Sequence, residues 1–172
     1  MVEFSIGAAL VAGLAGSIVM TVMMQLASAA GMTRMPSMAL IQGAMVTGDQ
    51  SKATMMGLVT HVLIMGTLVF GSIYAALFVA FDSHGWATGL LVGVVHGVVA
   101  GIVMVMMGAM HPRMEPVTSF PTDTAVTIDD GEVRIAEPGL FARNYGPMTP
   151  MGLIVGHALY GLVVALVYGA TA

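Results

Sequence analysis

Residues Ser83 to Pro112, SHGWATGLLVGVVHGVVAGIVMVMMGAMHP, contain no Asp, Glu, Lys or Arg over 30 consecutive positions. A helix needs about 20 apolar residues to cross the hydrocarbon core of a bilayer, so this stretch is long enough to span a membrane. The whole chain is similarly apolar, with 58% hydrophobic and 8% charged residues. An ordinary soluble domain has about 25% charged residues. The sequence therefore predicts an integral membrane protein and excludes a water-soluble one.

Three other stretches of 29 or 30 residues also lack charge: Phe4 to Thr33, Ala53 to Phe81 and Asn144 to Ala172. Each is longer than a bilayer crossing requires. The sequence thus predicts an all-α membrane protein with a single domain of four transmembrane helices, at residues 6–27, 57–81, 86–110 and 151–170.

The connections between these helices predict the topology. Only residues 82–85 separate the second helix from the third, so these two helices must be antiparallel neighbours. The longer loops, 28–56 and 111–150, then lie on one face of the membrane, which we call the loop face. All five Lys and Arg residues lie on it, and the positive-inside rule makes that face cytoplasmic. An antiparallel four-helix bundle in the cell membrane is expected.

The 111–150 loop contains a strand signal. Between Ala125 and Ile135, alternating apolar residues flank Asp130-Gly131, a pair that suits a two-residue type I′ turn. We therefore expect a small extramembrane β-hairpin. An isolated hairpin is marginal in water, so its apolar face is expected to rest on the membrane-proximal surface or on another subunit.

Glycines at four-residue spacing indicate tight helix packing within the bilayer. The third helix carries Gly93, Gly97 and Gly101, and the fourth carries Gly152 and Gly156. Packing inside one chain is the favoured interpretation, with a homo-oligomer formed through the glycine seams as the alternative.

Histidine and methionine are the residues with chemical potential, since the chain has 18 Met, 5 His and no Cys. At 1.5 Å per residue, three histidines lie near the loop-face ends of their helices, while His96 is close to mid-membrane. Soft thioethers together with imidazoles suit Cu(I). A copper site at the loop face would draw on these residues: His61, His111, His157, Met35, Met38, Met110, Met114 and Met151.

Two other interpretations of these residues stay open. Methionine is a flexible apolar filler, and a buried neutral histidine can simply hydrogen-bond a neighbouring helix. A haem held by His61 and His157 is the second alternative, because two histidines at similar depth on facing helices can ligate one. The spans contain no Asp or Glu and the chain no phosphate-binding motif, so the protein is not expected to be an enzyme, and no nucleic-acid partner is expected.

Several segments resemble a family of small four-helix bacterial membrane proteins. They are Gly57 to His61, Gly97 to Gly101 with Met110 to Met114, and Tyr145 to Gly161. The resemblance supports the four-helix prediction and the choice of His61, His111 and His157, but it implies no activity.

Two functions follow as hypotheses. In the first, the protein is an accessory or structural subunit of a larger membrane complex, such as a copper-dependent or other energy-converting enzyme, and its helices and hairpin dock on other subunits. In the second, it binds or passes copper through the histidine and methionine cluster. The copper hypothesis requires the histidine and methionine side chains to lie close together in the fold, whereas the subunit hypothesis does not.

Overall fold

The computed structural model describes all 172 residues. Four helices in it are long and apolar enough to cross a membrane: Ile6–Ala29, Gln50–Ala80, Trp86–Met110 and Thr149–Thr171. The first is α1, the third α5 and the fourth α6. The prediction of a multi-pass helical protein with four membrane-length helices is confirmed.

The second of these helices is longer and less regular than predicted. It consists of α3 (Gln50–Leu58), a π-helical segment (Val59–Phe70) and α4 (Gly71–Ala80). Asp49 caps its start by accepting a hydrogen bond from the backbone N–H of Lys52 at 2.8 Å, as acidic N-cap residues do. Charge patterning placed the start at residue 57 because it detects only the part compatible with lipid. The helix itself begins earlier, at Gln50, with a more polar segment that Asp49 caps.

The 28–56 loop contains a helix of its own. This helix, α2 (Met38–Ala44), begins at Ser37, whose hydroxyl accepts a hydrogen bond from the Leu40 N–H at 3.1 Å. It packs against α3 so closely that a Cβ at Gly43 would overlap the backbone of Ala53. The segment predicted only as a loop over 28–56 therefore contains α2 and the start of α3, which an apolar-run criterion overlooks because these helical segments are short.

The chain forms two compact units, each assembled from separate segments. The first unit contains Met1–Met23, Val62–Gly97 and Ile154–Ala172, and the second contains Met24–His61 and Val98–Leu153. Each of the four membrane-length helices contributes to both units. All extended strands belong to the second.

Helix contacts in the first unit depend on small residues. A Cβ on Gly93 of α5 would collide with the backbone of His157 and Ala158 in α6, and one on Gly13 of α1 would lie 2.8 Å from the carbonyl oxygen of Gly66. Close backbone approach of this kind is how helices associate where water cannot drive them together. Gly93 and Gly97 thus pack within the chain, whereas a Cβ on Gly152 would meet nothing within 4 Å. The homo-oligomer through glycine seams stays a prediction.

The second unit contains a three-stranded mixed sheet, so the expectation of a lone hairpin is wrong. The strands are β1 (Met114–Glu115), β2 (Val126–Asp129) and β3 (Glu132–Ala136), in the order β1-β3-β2. β2 and β3 are antiparallel, and β1 joins the other side of β3 in parallel. A two-residue strand has no detectable alternation, and its parallel pairing is set by where α5 ends, which explains why the sequence did not predict it.

The β2–β3 pair itself has the expected register and turn. Val126 lies opposite Ile135 and Ile128 opposite Val133. Asp130 and Gly131 have φ angles of 47° and 81°, as both central residues of a type I′ turn must. The backbone N–H of Val133 donates to the carbonyl of Gly48 at 2.9 Å, which fixes β3 to the connection between α2 and α3.

Replacing Gly93 by Ala should destabilise the protein. The added methyl group would meet backbone atoms of α6 rather than a flexible side chain, so the helices must separate, at about 1–3 kcal/mol. Gly152→Ala is the matched control, because its methyl group enters open space and Ala favours a helix over Gly by roughly 1 kcal/mol. Unfolding in mild detergent, followed by circular dichroism, measures both. Equal stability of Gly93→Ala and the wild type would contradict the packing described.

Candidate functional site

His111, the residue after α5, is buried in the second unit and links two parts of its backbone. Its side chain is 4% exposed. The ring Nε2 lies 2.8 Å from the carbonyl oxygen of Ile41, and the ring Nδ1 lies 3.1 Å from the backbone nitrogen of Arg113. Because a carbonyl only accepts and a backbone N–H only donates, His111 is a neutral imidazole with its hydrogen on Nε2. The backbone engages both ring nitrogens.

The surroundings of His111 favour this neutral form. Burial lowers the pKa of His111 below its ordinary value of 6.5, and the Arg113 charge lowers it further, while the hydrogen bond to Ile41 acts in the opposite direction. Arg113 strengthens the same connection, since its guanidinium donates to the carbonyl of Ala44 at 2.8 Å and pairs with Glu132 at 3.6 Å. The end of α5, α2 and the sheet are joined here.

His61 also lies against α2. Its Nδ1 is 3.3 Å from the side-chain nitrogen of Gln42, the residue after the carbonyl that His111 contacts. His61 is in the π-helical segment and is the last residue of the Met24–His61 part of the second unit. Of the three predicted copper-binding histidines, His61 and His111 are therefore in the second unit and His157 is in the first.

The predicted methionine ligands differ widely in exposure. Met35 and Met114 are buried at 8% and 9%, whereas Met110 and Met151 are 67% and 60% exposed; Met38 is half-buried. No group of three or more His, Asp or Glu side chains in the structure could hold a metal ion. The arrangement thus lends no support to the predicted copper site at the loop face.

His157 contacts His96, and the two rings form what we call the imidazole pair. Their centroids are 4.5 Å apart and the ring planes are inclined by 71°. His96 is on α5 and His157 on α6, within the membrane-length helices, and both are half-buried. Ionisable side chains at such positions in membrane proteins usually mark function.

Aromatic residues surround the imidazole pair in the first unit. The Tyr74 hydroxyl lies 3.2 Å from Nδ1 of His96, and the Phe70 ring stacks on His96 at 4.1 Å and 33°. Tyr160 packs edge-on against Tyr74 at 5.2 Å, while its hydroxyl donates to the Gly66 carbonyl at 2.6 Å. Sequence reasoning singled out the histidines but missed the hydrogen bond between Tyr74 and His96 and the pairing of His96 with His157.

Comparison of the chain with protein-family models, with curated proteins and with solved structures gave no match.

Acidification should loosen the second unit through His111. Its pKa is lower in the folded protein than the ordinary 6.5, so the unfolded chain binds more protons in the window just below 6.5. Stability is then fully present above pH 6.5 and falls as the pH decreases towards the folded pKa. Melting temperatures in detergent at pH 7.5 and 5.5 measure the loss.

The His111→Gln variant should show a smaller difference between the two pH values than the wild type. His84→Gln, in the turn between α4 and α5, should keep the wild-type difference. An unchanged pH response in His111→Gln would contradict the assignment.

Proposed function

We propose that the protein is an accessory subunit of a larger membrane complex and that its second unit docks on another subunit. The proposal includes an antiparallel four-helix bundle in the cell membrane, with the loops 28–56 and 111–150 on the cytoplasmic side. It also includes kinship with the small four-helix bacterial membrane proteins that the sequence resembles. One observation carries the docking argument: the apolar face of the sheet extends beyond its own core.

Cross-strand partners reveal where this apolar face is left uncovered. Residues directly opposite each other in an antiparallel pair point to the same face, and Val133 and Ile135 of β3 are fully buried. Their partners on β2 are less covered: Val126 is half-buried and Ile128 is 54% exposed. The apolar face therefore runs from the core of the second unit to an exposed side chain.

β2 is also an edge strand, because it pairs with β3 on one side only. Edge strands offer unpaired N–H and C=O groups to another chain, and strand addition with a pocket for an apolar side chain is a common mode of recognition. Residues 126–129 lie outside the four membrane-length helices, so Ile128 is not part of a membrane-spanning helix surface. A protein surface is the occupant that this chemistry favours.

The order of helix contacts supports the antiparallel bundle. A Cβ on Gly97 would meet Ile154, one on Gly93 would meet Ala158, and one on Gly89 would meet Gly161. Positions that descend along α5 thus face positions that ascend along α6. The cytoplasmic assignment is supported by the five Lys and Arg residues, all of which lie in the two long loops.

Ile128→Glu should release the chain from its complex. A carboxylate at an apolar contact costs about 2 kcal/mol or more, which corresponds to at least a tenfold loss of affinity. Native electrophoresis of membranes from the host organism, solubilised in mild detergent, measures the size of the assembly. The wild type should migrate well above the size expected for one 17.7 kDa chain with its bound detergent. Ile128→Glu should migrate at the size of one chain with its bound detergent.

Thr127→Glu is the matched control. Thr127 adjoins Ile128 on β2 but points to the opposite face, across from Arg134, so this variant should stay in the complex. A wild-type protein that migrates as a single chain would exclude the proposed function.

A further inference from the structure

The imidazole pair has the chemistry of a metal-binding site that lies within the membrane spans. His96 and His157 come from different helices, and their rings are in contact at 4.5 Å between centroids. We infer that this pair binds one Cu(I) ion. The inference is independent of the docking proposal, since the pair belongs to the first unit and Ile128 to the second.

The backbone around the pair is shaped for this contact. A Cβ on Gly97 would lie 3.2 Å from the Cβ of His157, and one on Gly93 would collide with the His157 carbonyl oxygen. Glycine at both positions of α5 therefore lets the His157 segment of α6 approach closely. A larger residue at either position would push the two rings apart.

The spacing of the rings suits two ligands on one ion. An imidazole nitrogen lies about 2.0–2.1 Å from a bound metal, which puts each ring centroid about 3.1 Å from it. Two centroids 4.5 Å apart then subtend an angle of about 90° at the ion. A haem between the rings would need centroids about 6 Å apart. The centroid spacing is consequently compatible with a bent two-imidazole site and shorter than a haem would require.

Two thioethers of α1 lie against α6 at Gly156, next to His157 in the sequence. A Cβ on Gly156, the residue before His157, would meet the terminal methyl groups of Met23 and Met20 at 3.0 and 3.7 Å. Imidazole with thioether is a donor set that favours Cu(I) over harder ions. We expect Met20 and Met23 to supply a further ligand.

Charge favours a monovalent ion. None of the four uncharged stretches contains an Asp or Glu that could balance a cation, and uncompensated charge within a bilayer is costly. Cu(I) with neutral imidazole and thioether ligands carries one positive charge, whereas Zn(II) or Cu(II) would carry two. The uncharged surroundings of the pair therefore favour Cu(I) over a divalent ion.

Tyr74 orients His96 for this role. Its hydroxyl is 3.2 Å from Nδ1, and acceptance of a hydrogen bond from Nδ1–H would place the lone pair of His96 on Nε2. Stacking of Phe70 on the same ring fixes its plane. Partners that hold the second nitrogen of a metal-binding histidine typically contribute 10- to 100-fold in metal affinity.

Anaerobic titration of the detergent-purified chain with Cu(I), in excess ascorbate and against a chromophoric Cu(I) chelator, tests the inference. We expect one Cu(I) per wild-type chain and a loss of affinity of about 10- to 100-fold in Tyr74→Phe. Tyr160→Phe is the matched control, because the Tyr160 hydroxyl donates to the Gly66 carbonyl rather than to an imidazole. That variant should bind Cu(I) as the wild type does.

Histidine variants locate the ion. His96→Phe and His157→Phe should abolish stoichiometric binding, while His61→Gln and His111→Gln should retain it. Melting temperature and gel filtration verify that each variant is folded, and Tyr74→Phe decides the matter if the histidine variants do not fold. Four results would overturn the inference: no Cu(I) binding by the wild type, tighter binding of Zn(II), equal effects of Tyr74→Phe and Tyr160→Phe, or binding that depends on His61 or His111.

Discussion

Hydrocarbon offers no hydrogen-bond partner, so each polar group within the spans must find one inside the protein. The first unit meets this requirement with few groups. The Ser17 hydroxyl donates to the carbonyl of Gly13 at 2.8 Å, one turn back on its own helix. The Thr67 hydroxyl donates to the carbonyl of Val62 at 2.7 Å, five residues back, where the wider π-helical turn places it. Tyr160 reaches across to another helix. Small residues then bring the backbones close enough for these side chains to meet their partners.

The second unit connects its loops to its helix and sheet through close contacts and accepts backbone strain to do so. Phe141 and Ala142 both have left-handed φ angles, 53° and 56°, a conformation that costs about 1–2 kcal/mol per non-glycine residue. Two contacts offset the cost. The Phe141 ring fills the space beside Gly101 of α5, and the Tyr145 hydroxyl donates to the Ala136 carbonyl at 2.7 Å. The strained turn thus connects the sheet to α5.

Local chemistry made part of this fold predictable. Uncharged stretches located all four membrane-length helices, because the cost of charge in lipid acts on each residue separately. Asp130-Gly131 predicted the turn and the β2–β3 register for a similar reason, since positive φ is a property of those two residues. β1 and α2 carried no such signal. β1 exists because β3 lies next to the end of α5, and α2 is stabilised by its contact with α3.

The pairing of His96 with His157 could not be found by counting from helix ends. Depth inferred from the sequence assumes that neighbouring helices end at the same level. Gly97 lies opposite Ile154, yet α5 continues for 13 residues beyond Gly97 to Met110, while only 5 residues of α6 precede Ile154 (110 − 97 and 154 − 149). The helix ends are therefore offset by about 8 residues, or roughly 12 Å at 1.5 Å per residue. An offset of that size brings a mid-membrane histidine level with one that seemed close to the loop face.

The partners of each imidazole separate a structural histidine from a candidate ligand. Backbone groups engage both nitrogens of His111, so a metal could bind there only by breaking the junction between α5 and α2. His96 instead meets side chains, a tyrosine hydroxyl and a second imidazole, and side chains can rotate while the helices stay packed. A buried histidine is retained for the fold when its partners are main-chain atoms. His96, whose hydrogen bond is to a side chain, can bind a ligand without disturbing a backbone hydrogen bond.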